Sequence, residues 1–367
     1  MQKRTPAVFV VGNSYQIMLP CTQPSLVWVK IGEKCYYDHV NGILRSDTKM
    51  HRITVPQHEL NEAGAYTLCE RLIIERKPYF SETENIQETE YEFRPVKTDG
   101  ARAFHLADVH GNTKVALSVA EKFGTIDFLI LNGDIINHSG SVDKFDAIYE
   151  IIEELTGGNI PVVFSRGNHD LRGVCAEKLS EYTPINNGNS YYTFNLGSIW
   201  GILLDCGEDK SDEHPEYGNT ICCHYFREEE TKYLEQVIEN SKMEYEAEGV
   251  EYRLVISHIP FPLMRKEPFN IEGDLYTKWC KLLKENVKPD MMLCGHTHKF
   301  SVDEPGGEKD AYGQPCPVVV GSAAENISKE NAYFVGTGLV FQDDKIHISM
   351  IDSNGNIVCN QYINQGK

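Results

Sequence analysis

Five short apolar runs in this chain each stop at residues able to bind metal ions. That repeated pattern restricts the fold more than any other feature. Ala103 to Ala107 runs into Asp108-Val109-His110-Gly111, Phe128 to Leu131 into Asn132-Gly133-Asp134, and Ile160 to Phe164 into Arg166-Gly167-Asn168-His169-Asp170. Later, Leu254 to Ile256 leads to Ser257-His258, and Met291 to Leu293 leads to Cys294-Gly295-His296-Thr297-His298. Runs this short read as strands. Helical periods separate them at Thr113 to Phe123, Val142 to Leu155, Glu228 to Glu239 and Leu275 to Leu283, and Tyr191 to Leu196 with Ile199 to Leu204 predicts a hairpin. The alternation of strand, loop and helix predicts a layered α/β unit with mixed sheets. In such sheets, sites collect at the carboxyl ends of the strands, so the five polar clusters are expected to converge.

The clusters offer carboxylates, imidazoles and an amide, with no thiolate required. Such a donor set suits divalent Mn, Fe, Zn or similar ions. In an extended segment residues i and i+2 point the same way. Asp108 with His110, and His296 with His298, are therefore each expected to reach one ion from extended backbone. Glycines 111, 133, 167 and 295 allow tight turns beside a ligand.

Residues 1 to 95 read as all-β. Runs such as Ser25 to Ile31 and Ala65 to Cys69 are rich in β-branched and aromatic residues, and turn signals stand at Gly32-Glu33-Lys34, Asn41-Gly42 and Ala63-Gly64. No helical period is evident there. Leu60 to Tyr66 resembles a tyrosine corner, in which the hydroxyl ties back to upstream backbone, as in a fibronectin/Ig-like sandwich. The polar stretch 81 to 100 is the best linker candidate, and part of it also reads as a last strand. The predicted organisation is a sandwich over 1–95 and an αββα-layered catalytic domain over 96–367.

The ordered set Asp108-x-His110, Gly133-Asp134, Gly167-Asn168-His169-Asp170, Ser257-His258 and Gly295-His296-x-His298 resembles the calcineurin-like metallophosphoesterase superfamily. The resemblance implies two divalent metal ions. Asp108, His110, Asp134 and His298 would hold one, and Asp134, Asn168, His258 and His296 the other, with Asp134 bridging. It implies a metal-bridging hydroxide as nucleophile, with His169 as general acid or phosphoryl partner, oriented by Asp170. Asn168, His169 and Arg166 are the candidate substrate-binding residues; Arg166 is equally well read as the partner of an acidic side chain. A sandwich ahead of such a domain is similar to plant-type purple acid phosphatases. Those carry a Tyr three residues after the bridging Asp, where this chain has Asn137, so a ferric chromophore is not implied. The Arg-containing segment that follows Gly-Asp in Ser/Thr protein phosphatases is replaced by His138-Ser139-Gly140.

The net charge of −19 argues against an extended nucleic-acid footprint. A small phosphorylated substrate is still compatible, because two divalent ions against Asp108 and Asp134 leave a local balance of about +2. The eleven cysteines, scattered and odd in number, read as reduced thiols. With no apolar run long enough for a membrane span or a secretory leader, the expectation is a cytoplasmic protein with no membrane partner; oligomeric state is open. Outside the clusters the expectations are structural. His39, His51, His58 and His347 read as structural or surface residues, His105 as packing, Cys222-Cys223 as packing, and Glu228-Glu229-Glu230 as a solvated first turn of a helix. His138, His214 and His224 fall in candidate rim loops. Competing functions are a metal-stabilised scaffold without turnover, and a nuclease or cyclic nucleotide phosphodiesterase.

Overall fold

Successive strand residues face opposite sides of a sheet, and the strand Phe128–Asn132 shows how that builds the layers. Phe128 and Ile130 enter one core while Leu129 and Leu131 enter another. In the computed structural model, which describes residues 4–263, 266–327, 329 and 332–365, two sheets pack face to face. The larger has ten strands, with Ala101–Leu106, Phe128–Asn132 and Val162–Ser165 parallel at its centre. The C-terminal strands Tyr333–Gln342, Lys345–Asp352 and Ile357–Asn364 extend one side of it antiparallel. The second has six strands, including the hairpin Tyr192–Leu196 and Ile199–Leu203 followed by parallel Tyr252–Ile256 and Met291–Cys294.

Helices cover the outer faces. Thr113–Phe123 buries Ala116, Val119 and Ala120 at helical spacing and, with Asp146–Thr156, closes the core on the larger sheet. Leu234 and Val237 of Cys223–Glu239, with Trp279 and Cys280 of Gly273–Leu282, close the core on the smaller one. This is the αββα layering with mixed sheets that the sequence predicts.

The N-terminal segment is strand-rich, as expected, but its strands are shared out differently. Ala7–Val11 runs parallel to Val162–Ser165, with Phe9 opposite Val162, and Ser14–Pro20 and Met50–Pro56 follow it outward. The larger sheet therefore crosses the boundary expected near residue 95. Ser25–Ile31, Lys34–Tyr37, Ala65–Arg76 and Gln87–Glu92 form a separate sheet, to which Ser81–Thr83 adds. Within the stretch expected as linker, Ser81–Thr83 and Gln87–Glu92 are strand; its acidic side chains are exposed, and Glu88 pairs with Lys30. A short helix, Gln57–Ala63, occupies a region with no evident helical period; it buries only Leu60 and ends at left-handed Gly64. One buried position is too weak a signal to read as a period. The Tyr66 hydroxyl donates to the Gly158 carbonyl at 2.9 Å. It points downstream into the larger unit and not to upstream backbone as a tyrosine corner would. Among the described residues no cysteine is in a disulfide, and no helix is long and apolar enough to cross a membrane.

Candidate metal centre

The parallel registers bring the strand ends level, with Leu106 opposite Leu131, Asn132 opposite Ser165 and Ile256 opposite Leu293. All five clusters reach the same edge. Asp108, Asp134, Asn168 and His258 are buried there, and His110, His296 and His298 stand beside them, partly exposed. The backbone that delivers them is not extended. Asp108, His110, Asp134, His296 and His298 all take positive φ, between 49° and 71°. The two-residue spacing still brings paired side chains together, through left-handed turns and not through a pleat. Asp and His tolerate that region better than most residues, and a hydrogen-bond network holds them in it. His296 donates its amide to Asp108 Oδ1 and Oδ2 at 3.0 and 2.9 Å, and the Ser322 hydroxyl donates to the same carboxylate. His169 donates its amide to Asp134 Oδ1 at 2.9 Å. A Cβ on Gly167 would lie 2.2 Å from Asp134 Oδ1, so that turn can only be glycine.

The donor atoms fit metal ions. His110 Nε2 lies 3.0 Å from His298 Nε2, and His298 Nε2 lies 3.4 Å from Asp108 Oδ1. His258 Nε2 lies 3.2 Å from Asp134 Oδ2 and 3.8 Å from Asp108 Oδ1. His296 Nδ1 meets Asn168 Oδ1 at 3.0 Å. Groups sharing one ion at about 2.1 Å are spaced like this. His258 Nδ1 donates to the Asn132 carbonyl at 2.6 Å, which leaves Nε2 as the ligand-facing nitrogen. That buried Nε2 has no hydrogen-bond partner. Among the described residues, three sets of side chains have metal-ligand spacing: Asp108, His110 and His298; His110, Asp134 and His169; Asp108, Asp134 and His258.

Electrostatics prepares His110, His296 and Asp108 for that role. Burial holds His110 and His296 down to about 4, so both imidazoles are neutral and carry lone pairs at neutral pH. Burial opposes ionisation of Asp108, but the His298 hydrogen bond and the charge of His258 outweigh it and hold the carboxyl well below its usual range. Burial likewise opposes the charge on His258, yet Asp134 and Asp108 push it up to about 10.

Two sequence expectations are corrected here. Asp170 does not touch the His169 ring. Its Oδ2 accepts the amides of Gly167 at 2.8 Å and Asp134 at 3.3 Å, so it fixes the loops that carry ligands. The His169 ring is held instead by the Asn137 carbonyl, 2.9 Å from Nδ1. Arg166 lies outside the cleft over the centre. It pairs with Asp205 at 2.7 Å and sits over the Phe226 ring.

A cleft of about 430 Å³ opens over the centre, bounded by Asp134, Asn168, His169, His296 and His298 and by residues the sequence did not single out. Those are Arg172, Asp209, Lys210, Phe269 and Thr297. Asp209 Oδ2 lies 3.5 Å from His296 Nε2. Arg172 stands three residues after His169 and Thr297 lies inside the Gly295-His296-x-His298 motif; Asp209, Lys210 and Phe269 belong to no motif. Of the rim histidines, His138 meets Lys144 and His224 meets Glu272. His105 packs fully buried, and burial takes its pKa down to about 3. Glu230, expected in solvent, is fully buried and accepts the Asp205 amide at 2.7 Å.

Comparison with known proteins follows this geometry. Residues 101–300 match the calcineurin-like phosphoesterase family. A probable cyclic nucleotide phosphodiesterase of Fibrobacter succinogenes is 27% identical over 110 residues, which is 30% of this chain and 41% of that protein. The chain thus spans less than half the length of that relative. A purple acid phosphatase from yellow lupin (Lupinus luteus) seeds superposes with a TM-score of 0.62 at 13% identity, covering 98% of this chain and 74% of that one. That likeness is one of fold, and it includes the N-terminal strands.

Proposed function

This chain belongs to the calcineurin-like phosphoesterases, and from that premise we propose that it is a dinuclear-metal-dependent hydrolase of small phosphomonoesters or phosphodiesters. The observation that carries the reading is the meeting of seven donor side chains from five strand ends within metal-ligand spacing. Asp108, His110, Asp134 and His298 would hold one divalent ion; Asp134, Asn168, His258 and His296 would hold the other. When bound, such a pair supplies Lewis acidity toward the phosphoryl oxygens and a water of lowered pKa.

The remaining work belongs to the side chains. Water gives up one proton to solvent as its oxygen forms a bond to phosphorus, and the bond to the ester oxygen breaks with its electron pair on the departing alcohol. That oxygen needs a proton. A carbonyl can only accept, so His169 Nδ1 carries hydrogen toward Asn137, and Nε2 is the nitrogen free to deliver a proton. Asp170 keeps the Gly167 and Asp134 turns in place. Asp209 faces the far nitrogen of His296, where a carboxylate raises ligand basicity.

The test is metal-stripped protein reloaded with Mn²⁺ and offered an aryl phosphomonoester and an aryl phosphodiester side by side, with bound metal counted. Turnover that returns with two equivalents of metal supports the proposal. Two bound equivalents without turnover of either ester would leave a metal-stabilised scaffold. A cyclic nucleotide is the natural diester to add, because the Fibrobacter relative carries that name.

A further inference from the structure

A strand at the edge of a sheet leaves one row of N–H and C=O groups unpaired, and proteins blunt such edges with charge, proline, brevity or cover. Most edges of this molecule are blunted. Gln87–Glu92 carries three glutamates. Ser301–Asp303 is three residues long and ends in a carboxylate, and Lys34–Tyr37 is four residues long and opens on a lysine. Met50–Pro56 holds Arg52 and ends in proline. Tyr192–Leu196 is covered by Gly12, whose amide donates to the Thr193 carbonyl at 2.7 Å. Ile357–Asn364 is the exception. It closes the ten-stranded sheet, runs for eight residues, and contains neither a charged residue nor a proline. One side pairs with Lys345–Asp352, in unbroken register from Cys359 to Asn364; among the described residues no strand pairs with the other side. The strand is also held firmly in place. Ile363 is buried in the core between the sheets, and the Tyr362 ring stacks on His347 with centroids 4.4 Å apart. Ile357 and Tyr362 nevertheless stay 62% and 63% exposed.

Charge and symmetry point to the occupant. With a net charge of −19, two copies of this chain repel one another across most of their surface. An uncharged strand lets them meet with no like charges opposite. A two-fold axis at the edge pairs the strand antiparallel with itself, and such pairing closes at two copies; pairing with a different edge would leave edges free and continue into a filament. The two-fold also matches the ends. Asn364 ends beside the turn Asp343-Asp344, which Lys345 only half offsets. Ile357 starts beside the turn Ser353 to Asn356, where the Lys122 Nζ donates to the Ser353 carbonyl at 2.8 Å. Asp352, before that turn, is buried, and its carboxylate accepts the Asn354 and Asn356 amides at 2.9 and 2.8 Å. The acidic end of each copy therefore faces the basic end of the other. We propose that Ile357–Asn364 is a self-association edge, and that the protein is a two-fold dimer whose ten-stranded sheet continues into that of a second copy.

Size-exclusion chromatography with light scattering, run on the full chain over a dilution series, reads the mass. Twice the chain mass at micromolar concentration, falling toward one chain on dilution, is the expected result. The double variant Ile357→Lys, Tyr362→Lys blunts the edge with the charge that other edges carry. Both positions are exposed, and neither lines the cleft over the candidate metal centre. It should weaken association by on the order of a hundredfold, with a cooperative thermal melt showing that the variant is folded. Hydrogen exchange needs no variant. Those amides of 357–364 that point away from Lys345–Asp352 should exchange slowly in concentrated protein and fast in dilute protein. The mass of one chain at every concentration overturns the proposal, as does a dimer that the folded double variant leaves intact. Slow exchange of those amides in a monomer also overturns it, because another part of the same chain would then cover the edge.

Discussion

Five of the seven candidate ligands sit at positive φ, a conformation that costs a non-glycine residue roughly 1 to 3 kcal/mol and survives only where its surroundings fix it. The candidate ligands stand out in the sequence because each follows a strand. Their backbone does not, because an i, i+2 spacing is equally compatible with a pleat and with a left-handed turn. The same limit hid the partner of His169. Its neighbour Asp170 was the obvious choice by sequence, whereas the true contact is the Asn137 carbonyl, 32 residues away. His169 also sets the clearest residue-scale prediction. Because His169 is outside the seven candidate ligands, His169→Ala should keep both metals and lower kcat by about 10² to 10⁴. Metal analysis beside steady-state rates checks this, and full activity with full occupancy would remove the proton-donor role.

At the scale of elements, the helix Cys223–Glu239 meets the end of the strand Ile199–Leu203 through a buried carboxyl. Glu230 accepts the Asp205 amide through one oxygen, while the other has no partner. Burial, then the nearby Asp205, raises its pKa well above the usual carboxylate range. The sequence suggested a solvated acidic run, since three glutamates in a row look alike until the helix phase is known; the helix begins at Cys223 and turns Glu230 inward. Between the ordinary pKa of the unfolded carboxyl and the raised native one, the folded state keeps a proton that the unfolded state releases. Stability therefore falls as pH rises through that window, by up to about 1.4 kcal/mol per pH unit. Gln has no proton to lose, so the stability of Glu230→Gln relative to wild type should grow steadily from pH 5 to pH 8. Thermal melts across that range read the difference, and a constant offset would show that Glu230 stays charged in the fold.

Across the whole molecule, strand content and layering could be read from the sequence, but the sharing of strands between sheets could not. Pairing partners far apart in the chain leave no periodic trace, and Phe9 opposite Val162 is such a pair. That pairing makes the N-terminal segment part of the frame that holds the candidate metal centre. Ala7–Val11 covers the strand whose next loop carries Asn168 and His169, and Val8 and Val10 lie in the same core as Ile130 and Val163. Arg4 adds ion pairs to Asp146 and Glu153 on the outer helix, and Tyr66 reaches Gly158 beyond its end. A fragment beginning at residue 101 would expose the edge of Val162–Ser165 together with the apolar surface that Ala7–Val11 and Ser14–Pro20 bury, a template for aggregation. Such a fragment is therefore expected to be insoluble, or to lack a cooperative melt and two-metal occupancy, whereas an independent catalytic domain would survive the cut. Expression of residues 101–367 with circular dichroism melts and metal counting separates these outcomes. A soluble fragment that melts cooperatively with both metals bound would mean that the shared sheet edge adds little to the fold.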